Sequence, residues 1–335
     1  MPPATETTQS PPGYRALICI TTCERPAYLR RYLPFFARFC ARDERFSLLV
    51  SLDGPDEETE RFCQEWGVPL VVSAEREGVG ISKNRALERF PGFDYYFFLE
   101  DDVELVDGAV FPAHVELFEA SGIHHFSLFA KRKIRNYTEE SLVAGRRVVH
   151  GFHGSASFNF FSGEGLRQVG GWHPRFAEYR RWGHTEHSYR FYRAGLAPAP
   201  FNVAAELTET CIWHIPPAVT RPNLLPADAD QIVAPERELI DLELRHVPLQ
   251  TLSPYSFNEV PFGRLDRLAA TLDAGERYPL ASPAERRHCR SDYRLWRYRS
   301  VESPPRRAAA LLGAALAWPG NPRLRDTIKL MVRGG

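Results

Sequence analysis

The stretch Tyr95-Tyr96-Phe97-Phe98-Leu99, followed at once by Glu100-Asp101-Asp102, constrains this chain more than any other. Four aromatics and a leucine in unbroken succession lack the alternation of a half-solvated strand. They read as a strand covered on both faces, the pattern of a parallel sheet flanked by helices. Three adjacent carboxylates then close it. Gathering like charge at the end of a buried strand is costly unless a cation compensates it. Open α/β sheets place ligands at the carboxyl ends of their strands. A hard divalent cation, Mn2+ or Mg2+, suits that position because it shares carboxylate, phosphate and water oxygens. A charge run can also be a solvated turn, so the decision passes to the other strand ends.

Those ends follow from the chain order. Ala16–Thr21 reads as a first buried strand, and Thr21-Thr22-Cys23-Glu24-Arg25-Pro26 as the turn into a helix with Leu29, Leu33, Phe36 and Phe39 at helical spacing. Phe46–Leu52 is a second strand closed by Asp53-Gly54, Glu57–Trp66 a second helix, and Pro69–Val72 a third, short strand. The loop Glu75–Gly80 leads to a helix over Ser82–Phe90, and the aromatic strand follows. This alternation predicts a parallel, right-handed sheet with helices on both faces. Thr21, Asp53, the Gly78–Asn84 segment and Glu100–Asp102 then share one carboxyl edge, as a nucleoside-diphosphate site requires. There Asp53 can accept hydrogen bonds from a base or ribose, the glycines admit a close ligand, and Lys83 or Arg85 can meet phosphate. Neither G-x-G-x-x-G after the first strand nor a P-loop is present, which disfavours a dinucleotide enzyme or an ATPase.

Composition narrows the class further. Across 335 residues, 42 basic and 42 acidic side chains give a formal net charge of zero, against a dedicated nucleic-acid partner. The six cysteines show no zinc-type pairing, which points to a reducing, cytoplasmic setting. Residues 1–14 are expected to form a disordered tail without the apolar core of a signal peptide. No apolar run reaches the length of a transmembrane helix.

Downstream, Phe158–Phe161 reads as a strand, Gly163–Leu166 opens a short helix ending at Gly170-Gly171, and Arg181–Gly195 carries a helix with Glu186 and Arg190 one turn apart. Cys211-Ile212-Trp213-His214 ends another apolar run in a histidine. Taken in order, the chain resembles a family 2-type glycosyltransferase with the GT-A fold, from Leu17 to His214. The resemblance rests on Ile20–Pro26, Asp53, Glu77-Gly78-Val79-Gly80 with Asn84, Phe98–Asp102 at the family's D-x-D position, Val169–Trp172, and the Glu186…Arg190…Ala194-Gly195 helix.

The resemblance implies an α/β, Rossmann-like, mostly parallel sheet with flanking helices over residues 15–217. Residues 15–105 would be its nucleotide-sugar half and 106–217 its acceptor half. It implies a metal-dependent transfer of sugar from a nucleotide-diphosphate donor, a UDP-sugar by expectation, to an acceptor hydroxyl with inversion. Thr21, Glu24, Asp53, Gly78, Lys83, Asn84, Glu100 and Asp101 would contact the donor, Asp102 and His214 the metal, and Glu186 would be the base. The usual Glu-Asp pair is replaced here by Gly183-His184-Thr185-Glu186-His187, so His184 and His187 stand as alternative bases. The acceptor, whether glycan, lipid-linked sugar, protein or small molecule, is not readable. A nucleotidyltransferase acting on a sugar phosphate is the alternative, though it would carry a Gly-rich basic loop after the first strand. A non-catalytic sugar-nucleotide-binding protein is the other.

Residues 218–335 read as a Pro-rich, then basic and helical extension, with short helices near Glu236–Arg245 and Gly263–Leu272. From Glu285 to Gly335 twelve basic residues face four acidic ones, a net +8. Such a segment, with the apolar run Ala308–Trp318, suits peripheral contact with the inner face of an anionic membrane.

Overall fold

The computed structural model describes residues 13–128, 137–152, 154–179, 182–214, 243–262, 265–272, 312, 315 and 316. The first half alternates as its hydrophobic pattern dictates: β1 (Ala16–Thr22), α1 (Pro26–Cys40), β2 (Phe46–Leu52), α2 (Glu57–Trp66), β3 (Leu70–Ser73), α3 (Val79–Arg89) and β4 (Tyr95–Glu100). Then come β5 (Val103–Leu105), α4 (Val110–Ser121), β6 (His125–Leu128), β7 (Tyr137–Val143), β8 (Arg146–Gly151), β9 (Ser155–Ser162), α5 (Gly163–Val169), α6 (Arg175–Tyr179) and α7 (Gly183–Arg193). The described elements close with β10 (Phe201–Ala204), α8 (Ala205–Thr210), β11 (Ile212–His214), β12 (Tyr255–Phe257) and α9 (Asp266–Ala269).

The main sheet has the order β12-β3-β2-β1-β4-β9-β6. Strands β3, β2, β1 and β4 are parallel, with Thr21 level with Ser51 on one side and Glu100 on the other. Strand β9 runs antiparallel to β4. The chain leaves β1 towards β2 and β3, then crosses back through α3 to place β4 on the other flank of β1. That reversal makes a topological switch point between β1 and β4, where an open sheet has its crevice. Strand β1 is buried throughout, and Phe97 packs edge-on against Phe111 at 5.0 Å, as a strand sandwiched between helical layers requires.

Local chemistry sets several boundaries. The Asp56 carboxylate caps α2 by accepting from Glu58 N at 3.2 Å, and Gly67 ends it in the left-handed region at φ 66°. Helix α3 begins at Val79, a turn before the start at Ser82 that periodicity suggests. A distant residue causes this: Asp53 accepts from Glu77 N at 2.8 Å and Gly78 N at 2.7 Å, pinning the loop that feeds the helix. The small sheet β10-β8-β7 is tied to β6 through Asn202, whose Nδ2 donates to His125 O (3.2 Å) and Ala199 O (2.8 Å). That orientation turns Asn202 Oδ1 towards His150 Nδ1, 2.8 Å away.

The chain beyond residue 217 also enters the domain. Strand β12 adds an antiparallel edge to β3. Val247 bridges the turn after α5, donating to Val169 O and accepting from Gly171 N, each at 3.0 Å. The helix expected near Glu236–Arg245 is absent from 243–245, its other residues lying outside those described, and the one near Gly263–Leu272 narrows to α9. The remainder of the Pro-rich stretch, nearly all of the basic segment from Glu285 and the tail before Gly13 lie outside the described residues. Among those described, no helix is long and apolar enough to cross a membrane.

Two positive-φ glycines differ in ψ, 17° at Gly122 and −163° at Gly170, and in what surrounds them. Gly122 (φ +68°) has open space where a Cβ would stand, whereas at Gly170 (φ +77°) a Cβ would overlap the Val247 carbonyl. Gly122→Ala should cost only the left-handed backbone, about 1–2 kcal/mol. Gly170→Ala should cost more and detach the Val247 bridge. Urea unfolding of the two variants checks this, and equal losses would refute the close-approach argument.

Candidate active site

A cavity of about 500 Å³ opens at the switch point. One wall comes from the strand ends and α3: Thr21, Arg25, Asp53, Arg76, Lys83 and Glu100. The other comes from the second half of the chain: Trp172, His173, Phe176, Trp182 and His184 among small residues. The first wall bears charge of both signs and the second is aromatic.

Buried ion pairs build the charged wall. Arg85, wholly buried, pairs with Glu77 and lies 3.3 Å from Asp53 Oδ1, so one guanidinium ties the end of β2 to the loop before α3. Both Asp53 oxygens already accept backbone hydrogens, and further ligand contacts would use its remaining lone pairs. Thr21 Oγ1 donates to Leu99 O at 3.0 Å and lines the cavity beside Glu100. Asp101 accepts from Thr22 Oγ1 at 2.6 Å and pairs with Arg25 at 2.6 Å. Burial nonetheless pushes its carboxyl up to about 7, with Asp102 and Glu100 adding to the rise and Arg25 opposing it.

Lys83 contrasts with Arg85. Its side chain is wholly buried and lines the cavity, and its Nζ finds no hydrogen-bond acceptor among the described residues. It sits 5.3 Å from the centre of the Trp172 ring. Burial lowers its pKa, against the pull of Glu100. An ammonium desolvated in this way, opening on a cavity, is a ready contact for an anionic ligand.

Other sequence-derived candidates lie off the cavity. Glu24 is exposed, in the left-handed region at φ 50°, and its nearest cation is Arg76 at 3.8 Å. Asn84 works inside the fold: Oδ1 accepts from Trp172 N at 2.7 Å, while Nδ2 donates to Trp172 O (2.9 Å) and Gln250 O (2.8 Å). Asp101 and Asp102 are buried at the end of β4, and only Glu100 of the triplet lines the cavity. The backbone of His214 pairs opposite Val103, next to Asp102. Gly78, at φ 93°, lines the cavity as expected.

On α7 the Glu186 carboxylate meets Arg190 at 2.7 Å (Nε) and 3.0 Å (Nη2), and both side chains are wholly buried. Burial raises the Glu186 pKa, and Arg190 opposes that rise. Arg190 in turn donates to Val169 O at 2.5 Å and Gly171 O at 2.6 Å, so the pair fixes the turn that carries Trp172. His187 lies under the Trp172 ring at 4.0 Å, with Nε2 3.0 Å from Gly170 O. Sequence reasoning gave no role to Arg25, Arg76 or the aromatic wall. The cations could have been found as basic residues in loops leaving strand ends. The aromatics had no periodic signal, being scattered from 172 to 184.

No family model and no curated protein matches this chain. Solved structures do. Residues 1–349 of S. aureus TarS, in complex with UDP, align at 11% identity over 91% of this chain and 89% of that one, with a TM-score of 0.50. Mannosyltransferase PcManGT from Pyrobaculum calidifontis, in complex with GDP-Man and Mn2+, aligns at 13% identity over 92% and 88%, TM-score 0.45. Glucosyl-3-phosphoglycerate synthase from Mycobacterium tuberculosis, in complex with Mn2+, UDP and phosphoglyceric acid, aligns at 15% identity over 70% and 80%, TM-score 0.44. With the strand order above, the TarS likeness shows the fold: GT-A, a mostly parallel sheet with flanking helices.

The Glu186–Arg190 pair makes a stability prediction. Arg190→Ala leaves a buried carboxylate unpaired and the Gly171 carbonyl without its donor, and should cost about 3–5 kcal/mol. The double variant Glu186→Leu/Arg190→Met should recover part of that loss. Chemical denaturation of the single and double variants measures the coupling, and additive losses would show that the pair does not act as a unit.

Proposed function

We propose that this chain is a glycosyltransferase that moves a sugar from a nucleoside-diphosphate donor to an acceptor hydroxyl, with inversion. One observation carries the reading: a buried ammonium, Lys83, opens without an acceptor onto a cavity that also faces Arg25, Arg76 and the acidic end of β4. A dianionic diphosphate supplies the acceptor that Lys83 lacks, with Arg25 and Arg76 alongside. The TarS structure that shares this fold was solved with UDP, which supports a uridine donor.

A divalent cation fits the acidic end of β4. The donors are hard carboxylate oxygens, three in succession at the end of the strand. No group of three or more His, Cys, Asp or Glu able to hold a metal occurs among the described residues. A cation there would be held by one or two carboxylates, Asp102 chief among them, together with the donor's phosphates. His214 would be a further ligand by the family resemblance alone. When bound, Mn2+ or Mg2+ would neutralise charge growing on the departing diphosphate.

The chain's own residues do the rest. Lys83, Arg25 and Arg76 hold the phosphates and stabilise the same charge from the protein side. Asp53 orders the loop at Gly78 against the nucleoside. The aromatic wall presents the acceptor hydroxyl. Among the described lining residues that wall carries no carboxylate.

Calorimetry with UDP and GDP, with and without Mn2+, tests the donor site. Lys83→Met keeps the volume and removes the charge, so nucleotide affinity should fall roughly 10- to 100-fold, the scale of one charged hydrogen bond. Asp102→Asn should abolish the gain that Mn2+ gives. Affinities that ignore both substitutions and the metal would sink the proposal.

The net +8 between Glu285 and Gly335 supports a second element of the reading, peripheral contact with an anionic membrane that would bring a lipid-linked acceptor to the cavity. The full chain should sediment with phosphatidylglycerol vesicles at low salt and be released at high salt. A chain ending at Ser303 should remain in the supernatant. Equal behaviour of the two would remove the membrane from the picture.

A further inference from the structure

Helix α7 carries three residues able to take a proton from an acceptor, and its geometry assigns them different surroundings. At 3.6 residues per turn, positions 184 and 186 lie roughly 200° apart around the axis. One helix therefore cannot present both to one cavity. Glu186 faces inward, both its oxygens on Arg190 and no part of it exposed. His187 is wholly buried beneath Trp172. His184 alone of the three lines the cavity, on the wall that carries His173, Phe176 and Trp182.

The first turn of α7 is also held in place. Ser188 Oγ lies 2.8 Å from His184 O and 2.9 Å from His125 Nε2, which ties the backbone of His184 to β6. Trp182, just before the helix, sits in the left-handed region at φ 62°. A bulky residue adopts that conformation only where its surroundings impose it.

We propose that His184 is the catalytic base, and that Glu186 is a positioning residue acting through Arg190 on the Gly170–Trp172 turn. The assignment rests on the glycosyl-transfer reading. In the step, the acceptor O–H bond breaks and its proton passes to the His184 imidazole. The freed electron pair forms the bond to the anomeric carbon. The bond from that carbon to the phosphate oxygen breaks, and its pair leaves on the nucleoside diphosphate. The imidazolium then returns its proton to solvent.

The groups facing His184 suit that task. Thr185 Oγ1 is 3.3 Å from its Nε2, and the Phe201 ring of β10 packs at 6.1 Å. The charged and titratable residues sharing the cavity are His173, Cys23, Asp53, Glu100, Arg25, Arg76 and Lys83. An imidazole changes charge near neutral pH and is an effective base there.

The test uses the full chain with Mn2+ and three donors, UDP-glucose, UDP-N-acetylglucosamine and GDP-mannose, with water as acceptor. Nucleoside-diphosphate release and UDP affinity are both read. His184→Ala should lower kcat about 10²- to 10⁴-fold while changing UDP affinity by no more than about threefold, the pattern of a group used in the chemical step. Added imidazole should restore the rate in proportion to its free-base fraction, with the thermal midpoint as in wild type. A His184→Ala protein at wild-type rate, or a loss that imidazole does not restore, overturns the assignment and leaves the donor reading intact. A wild type that releases nucleoside diphosphate from none of the three donors overturns the glycosyl-transfer reading and this assignment with it.

Discussion

Asn84 holds the two halves of the domain together. Its buried amide accepts from Trp172 N and donates to Trp172 O, and it also reaches Gln250 O at a partly exposed position. Three separate segments, α3, the turn after α5 and the chain near Val247, are thereby fixed to one side chain. An amide can do this because it donates and accepts within one rigid plane. Leaving the buried Trp172 groups unpaired would cost their desolvation penalty. Trp172 is then in register to roof Lys83 and to stack on His187. The aromatic wall follows from that placement, so a hydrogen bond inside the fold sets the shape of the cavity.

Buried charge has two uses here, and the partners distinguish them. Arg85 and Arg190 are wholly buried and each has a carboxylate and carbonyls to hold, so their charge goes into positioning loops. Lys83 is equally buried and its ammonium has an aromatic face but no hydrogen-bond acceptor among the described residues. The desolvation of Arg85 and Arg190 is offset within the protein. That of Lys83 is not, and the proposed diphosphate donor would offset it. Burial alone would rank the three alike, and only their hydrogen bonds separate them.

The strands were legible because burial on both faces writes itself as an unbroken apolar run, as in Ala16–Thr22 and Tyr95–Leu99. The carboxyl edge followed from topology, and Asp53, Lys83 and Glu100 meet there as the reading required. What stayed hidden depends on partners far away in sequence. The start of α3 is set by Asp53, about 25 residues earlier. Strand β12 lies in a Pro-rich stretch with too short a run to show a period, and it exists because β3 offers an open edge. Asn84 and Glu186 were placed near substrate because polar residues in a motif suggest ligands. Yet a polar side chain with partners inside the fold looks the same in sequence.

The contrast between the cavity's walls follows from how the chain builds them. The first wall is made of strand ends and helix starts, where loops are short and backbone N–H groups unsatisfied, so it collects charged side chains to order those loops. The second is made of the turn after α5 and the stretch leading into α7, anchored from behind by Arg190 and Asn84. With its anchoring charges buried behind the turn, its described surface is left to rings and small residues. A charged donor and a hydroxyl acceptor thus meet surfaces of different dielectric character across one cleft. In the proposed transfer, charge developing on the departing diphosphate would be met by fixed cations on its own side, across from a wall of rings.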